Sequence, residues 1–305
     1  MSAPIEPTLI ILLGPTGVGK TDLSIALAQR LACPVVSADS RQIFRELPVG
    51  TAAPTAEELG KVEHWFIGNK SVEEDYNAGQ YEAEVLPMIT GYLALHEALL
   101  MVGGSMMYID AVCKGFDYLP QVPQTVRQQV RNDYEAKGLE WLQSELMRLD
   151  QDYCRQVDLQ NPQRLMHAVE ISLVAGKPYS AFRTGTAKKR PFRILKVGLQ
   201  RDRAELYERI NRRVAQMMAQ GLLQEAEKVY PYRHKNSLNT VGYKELFAYI
   251  DGKCTLDEAV DKIRQNSRHY AKRQLTWFRQ DTEIHWFDAG NVTVDDIIQL
   301  YESSK

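Results

Sequence analysis

The residues with the clearest chemical pattern lie near the start of the chain. Residues 14–21 read Gly-Pro-Thr-Gly-Val-Gly-Lys-Thr, which matches the phosphate-binding loop (P-loop) pattern G-x-x-x-x-G-K-[ST]. Glycines let successive backbone N–H groups converge on an anion, and the N-terminus of a following helix adds about half a positive charge. Lys20 supplies a full charge, and the hydroxyl of Thr21 is a ligand for Mg²⁺. The pattern predicts a diphosphate-bearing ligand with Mg²⁺ and does not specify a nucleobase.

A second chemical group, Asp39, directly follows the apolar run Val35–Ala38. Because the carboxyl ends of parallel strands lie at one edge of a sheet, this carboxylate is expected close to the P-loop. Three roles are compatible with its position: a ligand that holds Mg²⁺ through water, a general base, or an N-cap for the next helix. The spacing alone does not choose among them.

The elements that must position these residues alternate between strands and helices. Thr8–Leu13 is a short apolar run typical of a buried parallel strand, a helical pattern starts at Thr21, and Val35–Ala38 is a second strand. A helix-like stretch at 78–96 then leads into the strand Leu99–Val102. This alternation predicts an α/β fold with a P-loop NTPase-like, doubly wound parallel sheet.

The pattern changes after about residue 119, where strands stop for a long stretch. Residues 124–175 read as consecutive amphipathic helices, and Ile194–Leu199 restores a strand. We therefore predict a first part of the catalytic core at 1–119, an all-helical insertion domain at 120–193, and a second part of the core at 194–305. The second part is expected to contain helices near 203–219, 241–250 and 256–279 and a last strand near Ile284–Phe287.

Charge is unevenly distributed along the chain. Residues 1–119 hold 7 Lys and Arg against 15 Asp and Glu, whereas residues 120–305 hold 30 against 24. Basic residues cluster at 183–203 and at 262–279. A polyanion is therefore a candidate partner, and a plain solvated basic surface is the alternative.

Composition excludes several classes of protein. With 305 residues, 44% hydrophobic and 25% charged, the chain is neither disordered nor a disulfide scaffold. Its longest apolar run is far too short to cross a bilayer, and its start lacks the basic region of a secretory signal, so we expect a cytoplasmic protein with no membrane partner. The 4 cysteines and 6 histidines show no spacing typical of a transition-metal site.

Eight blocks along the chain resemble the tRNA dimethylallyltransferase (isopentenyl transferase) family. They occur in order and extend over most of the sequence, which is far more specific than a P-loop alone. The blocks are Gly14–Thr21, Ser37–Gln42, Gly50–Thr55, Val102–Ser105 with Tyr108, Asn161–Leu165 with Glu170, Arg209–Leu222, Val241–Glu245 and Lys272–Arg279.

The resemblance implies transfer of the prenyl group of dimethylallyl diphosphate to the exocyclic amine of adenine at tRNA position 37, beside the anticodon. It makes Asp39 the general base and Thr16 a substrate contact, while Lys20, Arg213 and Mg²⁺ on Thr21 stabilise the departing diphosphate. The implied diphosphate site consists of Gly14, Pro15, Thr16, Gly17, Val18, Gly19, Lys20 and Thr21.

A tRNA anticodon stem-loop is the partner that the same resemblance implies, bound by a monomer. The target adenine must leave its stack to react, which requires an extended basic surface, and the helical insertion is expected to grip the anticodon loop. Trp277 and Phe278 are more typical of core packing than of base stacking, although the resemblance places them among the tRNA contacts. The implied tRNA contacts are Asp39, Ser40, Arg41, Gln42, Ser105, Arg127, Gln163, Arg164, Leu165, Met166, His167, Thr240, Val241, Gly242, Tyr243, Lys244, Glu245, Lys272, Arg273, Gln274, Leu275, Thr276, Trp277, Phe278 and Arg279.

The sequence departs from the family pattern at two places. Residues 103–108 read Gly-Gly-Ser-Met-Met-Tyr where Gly-Gly-Thr-Gly-Leu-Tyr is usual, and Arg41 stands where Met is common. Two other classes remain as alternatives: a P-loop kinase for a small molecule, and a tRNA-binding protein without activity. A kinase for a small metabolite needs no extended basic surface, and an inactive protein need not keep Lys20, Thr21 and Asp39 together.

Overall fold

The computed structural model describes residues 6–305, and within that range six strands form one sheet. All neighbouring strands run parallel, in the order β3-β2-β4-β1-β5-β6. This confirms the predicted α/β class with a doubly wound parallel sheet. The strands are β1 (Thr8–Leu13), β2 (Val35–Ala38), β3 (His64–Trp65), β4 (Ala98–Gly103), β5 (Arg193–Gln200) and β6 (Ile284–Asp288).

Helices connect the strands and also form the insertion between β4 and β5. The longest of them, α5, contains Gly138 with a positive φ of 76°, which divides it into two helical segments. The helices are α1 (Lys20–Leu31), α2 (Ala56–Lys61), α3 (Ala78–Leu93), α4 (Met106–Cys113), α5 (Gln124–Leu149), α6 (Gln151–Cys154), α7 (Pro162–Ala175), α8 (Arg203–Ala219), α9 (Leu222–Val229), α10 (Tyr243–Ile250), α11 (Leu256–Phe278) and α12 (Val294–Ser303).

Strand β1 is an inner strand of the sheet, and every residue in it is buried. It pairs with β4 on one side and β5 on the other, with Leu13 opposite both Gly103 and Gly198. Gly103 is also opposite Ala38 of β2, and a Cβ there would collide with the Ala38 carbonyl. The register therefore brings the carboxyl ends of β1, β2 and β4, with the loops that follow them, to one edge of the sheet.

The chain forms two compact units in the described structure. One contains the described chain up to Cys113 and Lys189–Lys305, and the other is Lys114–Lys188. The second unit has a hydrophobic core of its own, which includes Leu142, Leu146 and Leu165. No helix within residues 6–305 is both long and apolar enough to span a membrane.

The boundaries of the second unit differ by a few residues from the predicted insertion at 120–193. The N–H of Lys188 donates to the Lys114 carbonyl at 2.8 Å, so the two ends of the unit meet there. Arg190, inside the predicted insertion, instead belongs to the sheet-containing unit, where its guanidinium donates to the Ala111 carbonyl at 2.7 Å and to the Glu82 carboxylate at 3.1 Å.

Candidate active site

The P-loop between β1 and α1 depends on glycine conformations and on Lys20. Gly17 and Gly19 have φ values of 79° and 106°, which other residues rarely adopt. The Lys20 ammonium donates to the carbonyls of Gly14 at 2.8 Å and Pro15 at 3.0 Å, so its charge lies inside the curve of the loop. These features fit the anion cradle that the sequence predicts, which stays a prediction.

Two arginines that the sequence analysis did not assign to the site donate hydrogen bonds to backbone carbonyls of this loop. Arg201, after β5, donates from Nε to the Val18 carbonyl at 2.8 Å, and Arg209 of α8 donates from Nε to the Gly17 carbonyl at 2.9 Å. Both bonds pair a backbone carbonyl of the P-loop with a guanidinium group. Each joins positions more than 180 residues apart in the chain, so no local pattern reveals them.

Arg213 lies one helical turn after Arg209 on α8, so both reach the P-loop from the same helix face. Its Nη1 contacts the Thr16 hydroxyl at 3.5 Å, and its Nη2 donates to the Thr51 carbonyl at 3.2 Å. Its Nε is buried and has no hydrogen-bond partner among the described residues. A buried, unpaired guanidinium nitrogen beside the cradle is suited to an anionic ligand.

The electrostatics of the site are set by the concentration of positive charge. Burial and, to a smaller extent, the charge of Arg213 lower the pKa of Lys20 to about 8, while Asp39 acts in the opposite direction. Burial also lowers the pKa of Arg213, again opposed by Asp39. A bound diphosphate would relieve the repulsion between the two cations, because it adds negative charge between them.

Asp39 follows β2 and is fixed through one of its two carboxylate oxygens. Its Oδ1 accepts from the backbone N–H groups of Arg41 at 2.8 Å and Gln42 at 3.2 Å. The N-cap interpretation is wrong, because the residues after Asp39 form a turn and the next helix, α2, is capped by Thr55. The arrangement leaves Oδ2 for a substrate proton or a hydrated cation.

A hydroxyl cluster joins the loop after β2 to the loop after β4. The Ser105 hydroxyl accepts from the Ser40 N–H at 2.8 Å and donates to the Ser40 hydroxyl at 3.2 Å. The Ser105 N–H also donates to the Ala38 carbonyl at 3.2 Å. Tyr270 of α11 is hydrogen-bonded to Ser105, and burial beside Asp39 raises the Tyr270 pKa to about 12. These contacts hold the backbone on either side of the Asp39 carboxylate.

The two departures from the family pattern have structural consequences. Arg41 donates from Nη1 to the carbonyls of Asn236 at 3.1 Å and Ser237 at 3.2 Å, which ties the loop after β2 to the segment before α10. Met106 opens α4, and Met107 is 49% exposed on the first turn of that helix.

A buried carboxylate that the sequence analysis missed supports the other side of the site. Glu225 of α9 is only 8% exposed and accepts from the N–H groups of Val49 at 2.8 Å and Gly50 at 2.7 Å. It also accepts from the Tyr243 hydroxyl at 2.6 Å. Glu225 thereby fixes the loop whose next residue, Thr51, binds Arg213.

Many of these groups line one cavity of about 650 Å³ in the sheet-containing unit. It is lined by a cationic cradle, a carboxylate, and residues from α8, the α10 N-terminus and α11. The lining includes Thr16, Gly17, Gly19, Lys20, Thr21, Asp39, Ser40, Arg41, Gln42, Ser105, Arg209, Arg213, Thr240, Val241, Gly242, Lys244, Tyr270, Arg273 and Gln274.

The protein groups available for a cation in this cavity are few. Among residues 6–305, no three His, Cys, Asp or Glu side chains group to form a metal site. Thr21 and Asp39, a hydroxyl and a carboxylate, line the same cavity. This donor set fits Mg²⁺, which commonly takes one or two protein oxygens and completes its shell with phosphate oxygens and water.

The structure divides the predicted tRNA contacts into exposed and buried side chains. The side chains of the buried members are each 7% exposed or less in the free protein, so for them contact with tRNA stays a prediction: Ser105, Leu165, Tyr243, Glu245, Gln274 and Phe278. They are buried because they pack in the cores of their units or make internal hydrogen bonds. The exposed members are Arg127, Gln163, Arg164, His167, Lys244, Lys272, Arg273, Thr276, Trp277 and Arg279.

Trp277 and its neighbour Phe278 have different environments. Phe278 is 3% exposed and packs in the core, as the core interpretation predicts. Trp277 is 40% exposed, and its indole N–H donates to the Asp110 carboxylate at 3.0 Å. Trp277 is therefore partly exposed, and base stacking on it stays a prediction.

Comparison with known proteins identifies the family. A family model described as IPP transferase matches residues 42–281. The chain belongs to this family. It is 53% identical over 296 residues to tRNA dimethylallyltransferase 1 of Phocaeicola vulgatus, covering 97% of this chain and 98% of that protein. Members of the IPP transferase family use a divalent metal ion.

Solved structures agree with this family assignment. The full-length tRNA isopentenylpyrophosphate transferase of Bacillus halodurans is 34% identical, with a TM-score of 0.71, and the match covers 97% of this chain and 95% of that one. A eukaryotic dimethylallyltransferase, captured in snapshots acting on tRNA, shares the fold at 23% identity with a TM-score of 0.80, covering 93% of this chain and 74% of that one. The kinase alternative is not favoured by any of these similarities.

Proposed function

We propose that this protein transfers the dimethylallyl group from dimethylallyl diphosphate to the exocyclic amine of adenosine-37 in tRNA, next to the anticodon, and releases diphosphate. The observation that carries the proposal is the placement of Asp39, Lys20 and Arg213 around one cavity. A carboxylate that faces an anion cradle suits a reaction in which an amine loses a proton as a diphosphate departs. Membership in the IPP transferase family supports the same reaction.

The acceptor half of the reaction depends on Asp39. As the amine nitrogen of adenine forms a bond to the prenyl carbon, one N–H proton passes to the Asp39 carboxylate. Backbone N–H groups of Arg41 and Gln42 hold Oδ1, so Oδ2 receives the proton. A fixed carboxylate matters because the lone pair of an adenine amine is delocalised into the ring and is a weak nucleophile.

The donor half depends on the cradle. As the bond between the prenyl carbon and the diphosphate oxygen breaks, negative charge accumulates on the leaving group. The Lys20 ammonium, the Arg213 guanidinium and the P-loop N–H groups stabilise this charge, and the Thr16 hydroxyl beside Arg213 orients a diphosphate oxygen. Thr21 and Asp39 would hold Mg²⁺, which would neutralise part of the same charge.

Recognition of tRNA is assigned to the exposed residues of the predicted set. In the sheet-containing unit these are Lys244 beside the cavity and the exposed face of α11, with Lys272, Arg273 and Arg279. In the insertion they are Arg127, Gln163, Arg164 and His167. Basic and aromatic side chains of this kind bind phosphates and splayed bases of an RNA loop. We propose that the protein acts as a monomer, as the family resemblance implies.

Label transfer tests the proposal. The purified protein with Mg²⁺ and labelled dimethylallyl diphosphate should transfer label to a tRNA that has adenosine at position 37, and nucleoside analysis should place the label on that adenosine. A tRNA with guanosine at this position is the matched control and should remain unlabelled. Transfer to ATP or to a small metabolite, with none to tRNA, would contradict the proposal and favour the kinase alternative.

A further inference from the structure

Gln274 is a buried polar side chain that the proposed reaction does not use. It lies on α11 at 2% exposure, and both ends of its amide are hydrogen-bonded. Oε1 accepts from the Thr16 N–H at 2.9 Å, and Nε2 donates to the Gly104 carbonyl at 2.7 Å. One side chain therefore joins the P-loop to the loop after β4, across 258 and 170 positions of sequence.

The two loops that Gln274 joins carry the two halves of the site. Thr16 belongs to the diphosphate cradle and contacts Arg213. Gly104 precedes Ser105, whose hydroxyl accepts from the Ser40 N–H, and Ser40 follows Asp39 in the chain. A short path of hydrogen bonds and adjacent residues thus connects the donor cradle to the general base, with Gln274 at its centre.

The surrounding structure is shaped to receive this amide. A Cβ at position 104 would lie 2.4 Å from Gln274 Nε2 and 3.0 Å from the Gly14 carbonyl oxygen, so the glycine at this position leaves room for the Gln274 amide. Gln274 extends from the buried face of α11, whereas Lys272 and Arg273 on the same helix are exposed and belong to the proposed RNA-binding set.

We propose that Gln274 is a positioning residue that fixes the distance and angle between the diphosphate cradle and the Asp39 carboxylate. This inference rests on the proposed prenyl transfer and deepens it. Because the reacting atoms must be aligned for transfer, a small displacement of one loop relative to the other lowers the rate of the chemical step while both substrates still bind. The role differs from RNA contact, which would act on the affinity for tRNA.

The test is the substitution Gln274→Met, which keeps a similar volume and removes both hydrogen bonds. Single-turnover transfer at saturating tRNA and dimethylallyl diphosphate should slow by about 10²-fold, with KM for either substrate nearly unchanged. Gln299→Met, on the exposed face of α12, is the matched control and should leave the rate as in the unsubstituted protein. Gln274→Glu, which keeps an acceptor for the Thr16 N–H but loses donation to Gly104, replaces Gln274→Met if the latter does not fold.

A double-substitution cycle separates alignment from a general loss of structure. In the Asp39→Ala protein, Gln274→Met should slow transfer far less than in the unsubstituted protein, because no carboxylate remains to be aligned with the diphosphate cradle. Equal slowing in both backgrounds, or a raised KM for tRNA with an unchanged maximal rate, would overturn the inference. If Gln274→Met transfers normally beside an active unsubstituted protein, only this inference fails. An inactive unsubstituted protein would instead overturn the proposed function and the inference with it.

Discussion

At Asp39, two backbone N–H groups hold one carboxylate oxygen and leave the other for the substrate. Asp39→Ala should therefore slow prenyl transfer by about 10²–10⁴-fold, the usual scale for a general base, while binding of dimethylallyl diphosphate is retained. Single-turnover transfer and a separate binding titration measure the two effects. Asp295→Ala, at an exposed site in α12, is the control with near-normal turnover. Normal turnover of Asp39→Ala would remove this residue from the mechanism.

Lys20 should make donor binding depend on pH. Its pKa in the free protein is about 8, so the charged fraction of the ammonium decreases as the solution is taken from about pH 7 to about pH 9. We expect KM for dimethylallyl diphosphate to rise over this window. Lys20→Arg retains its charge at these pH values, so its KM should stay flat. A parallel rise in both proteins would assign the pH dependence to another group.

Lys20 should affect folding stability in the opposite direction: donor binding weakens as pH rises, whereas the free energy of unfolding increases. Because burial lowers its pKa from 10.5 to about 8, the unfolded chain holds this proton more tightly than the folded protein between those values. The contribution of this one group to the free energy of unfolding is therefore unfavourable at neutral pH and becomes less so as pH rises from 8 towards 10.5.

Single residues of the site were predictable only where a motif or a family block marks them. Thr16, Lys20 and Asp39 stand in or beside recognisable blocks, and the structure brings them to one cavity with Arg213. Arg201, Arg209 and Glu225 were missed because each acts through a backbone group more than 170 positions away. Gln274 stood within a predicted block, but local sequence could not show that its side chain faces the P-loop.

Among the elements, the loop after Leu47 depends on a helix distant in sequence, α9. Glu225→Gln replaces one carboxylate oxygen by an NH₂ group, which cannot accept a hydrogen bond. Either the bond from Val49 to Oε2 or the bonds from Gly50 and Tyr243 to Oε1 are therefore lost. The free energy of unfolding should fall by about 1–3 kcal/mol, the cost of leaving buried donors unpaired. Urea denaturation measures this change. Tyr243→Phe removes a single donor and should lower the free energy of unfolding by less than Glu225→Gln does. An equal or larger decrease in Tyr243→Phe would contradict the role of Glu225 in holding this loop.

Elements with long periodic patterns were predicted well, and short ones were not. The strand Thr8–Leu13 and the helix Arg203–Ala219 have the predicted bounds because each buries a continuous run or a regular face. The strand β3 was missed since it has only 2 residues and is half-buried. The helix α4 was missed as well, because the glycine pair before it was interpreted only as a close backbone approach.

For the whole molecule, the basic character of the second part of the chain should appear as salt dependence. A protein that neutralises several phosphates loses affinity steeply as salt increases, and we expect this for tRNA binding. Lys272→Ala, on the exposed face of α11, should lower the slope of log affinity against log salt by about one. Lys61→Ala, whose ammonium is paired with Glu57 at 2.8 Å, is the control. Filter binding at several salt concentrations gives both slopes, and equal slopes would place Lys272 outside the RNA interface.

The ends of the Lys114–Lys188 unit have a consequence for how this chain can be rearranged. One backbone hydrogen bond of 2.8 Å links Lys114 and Lys188, so the first and last residues of this unit are neighbours in space. Removing the stretch between them and closing the gap with a few glycines would require no strand of the sheet to change its register. We therefore expect a chain in which this segment is replaced by another one with similarly spaced ends to retain the register of the sheet.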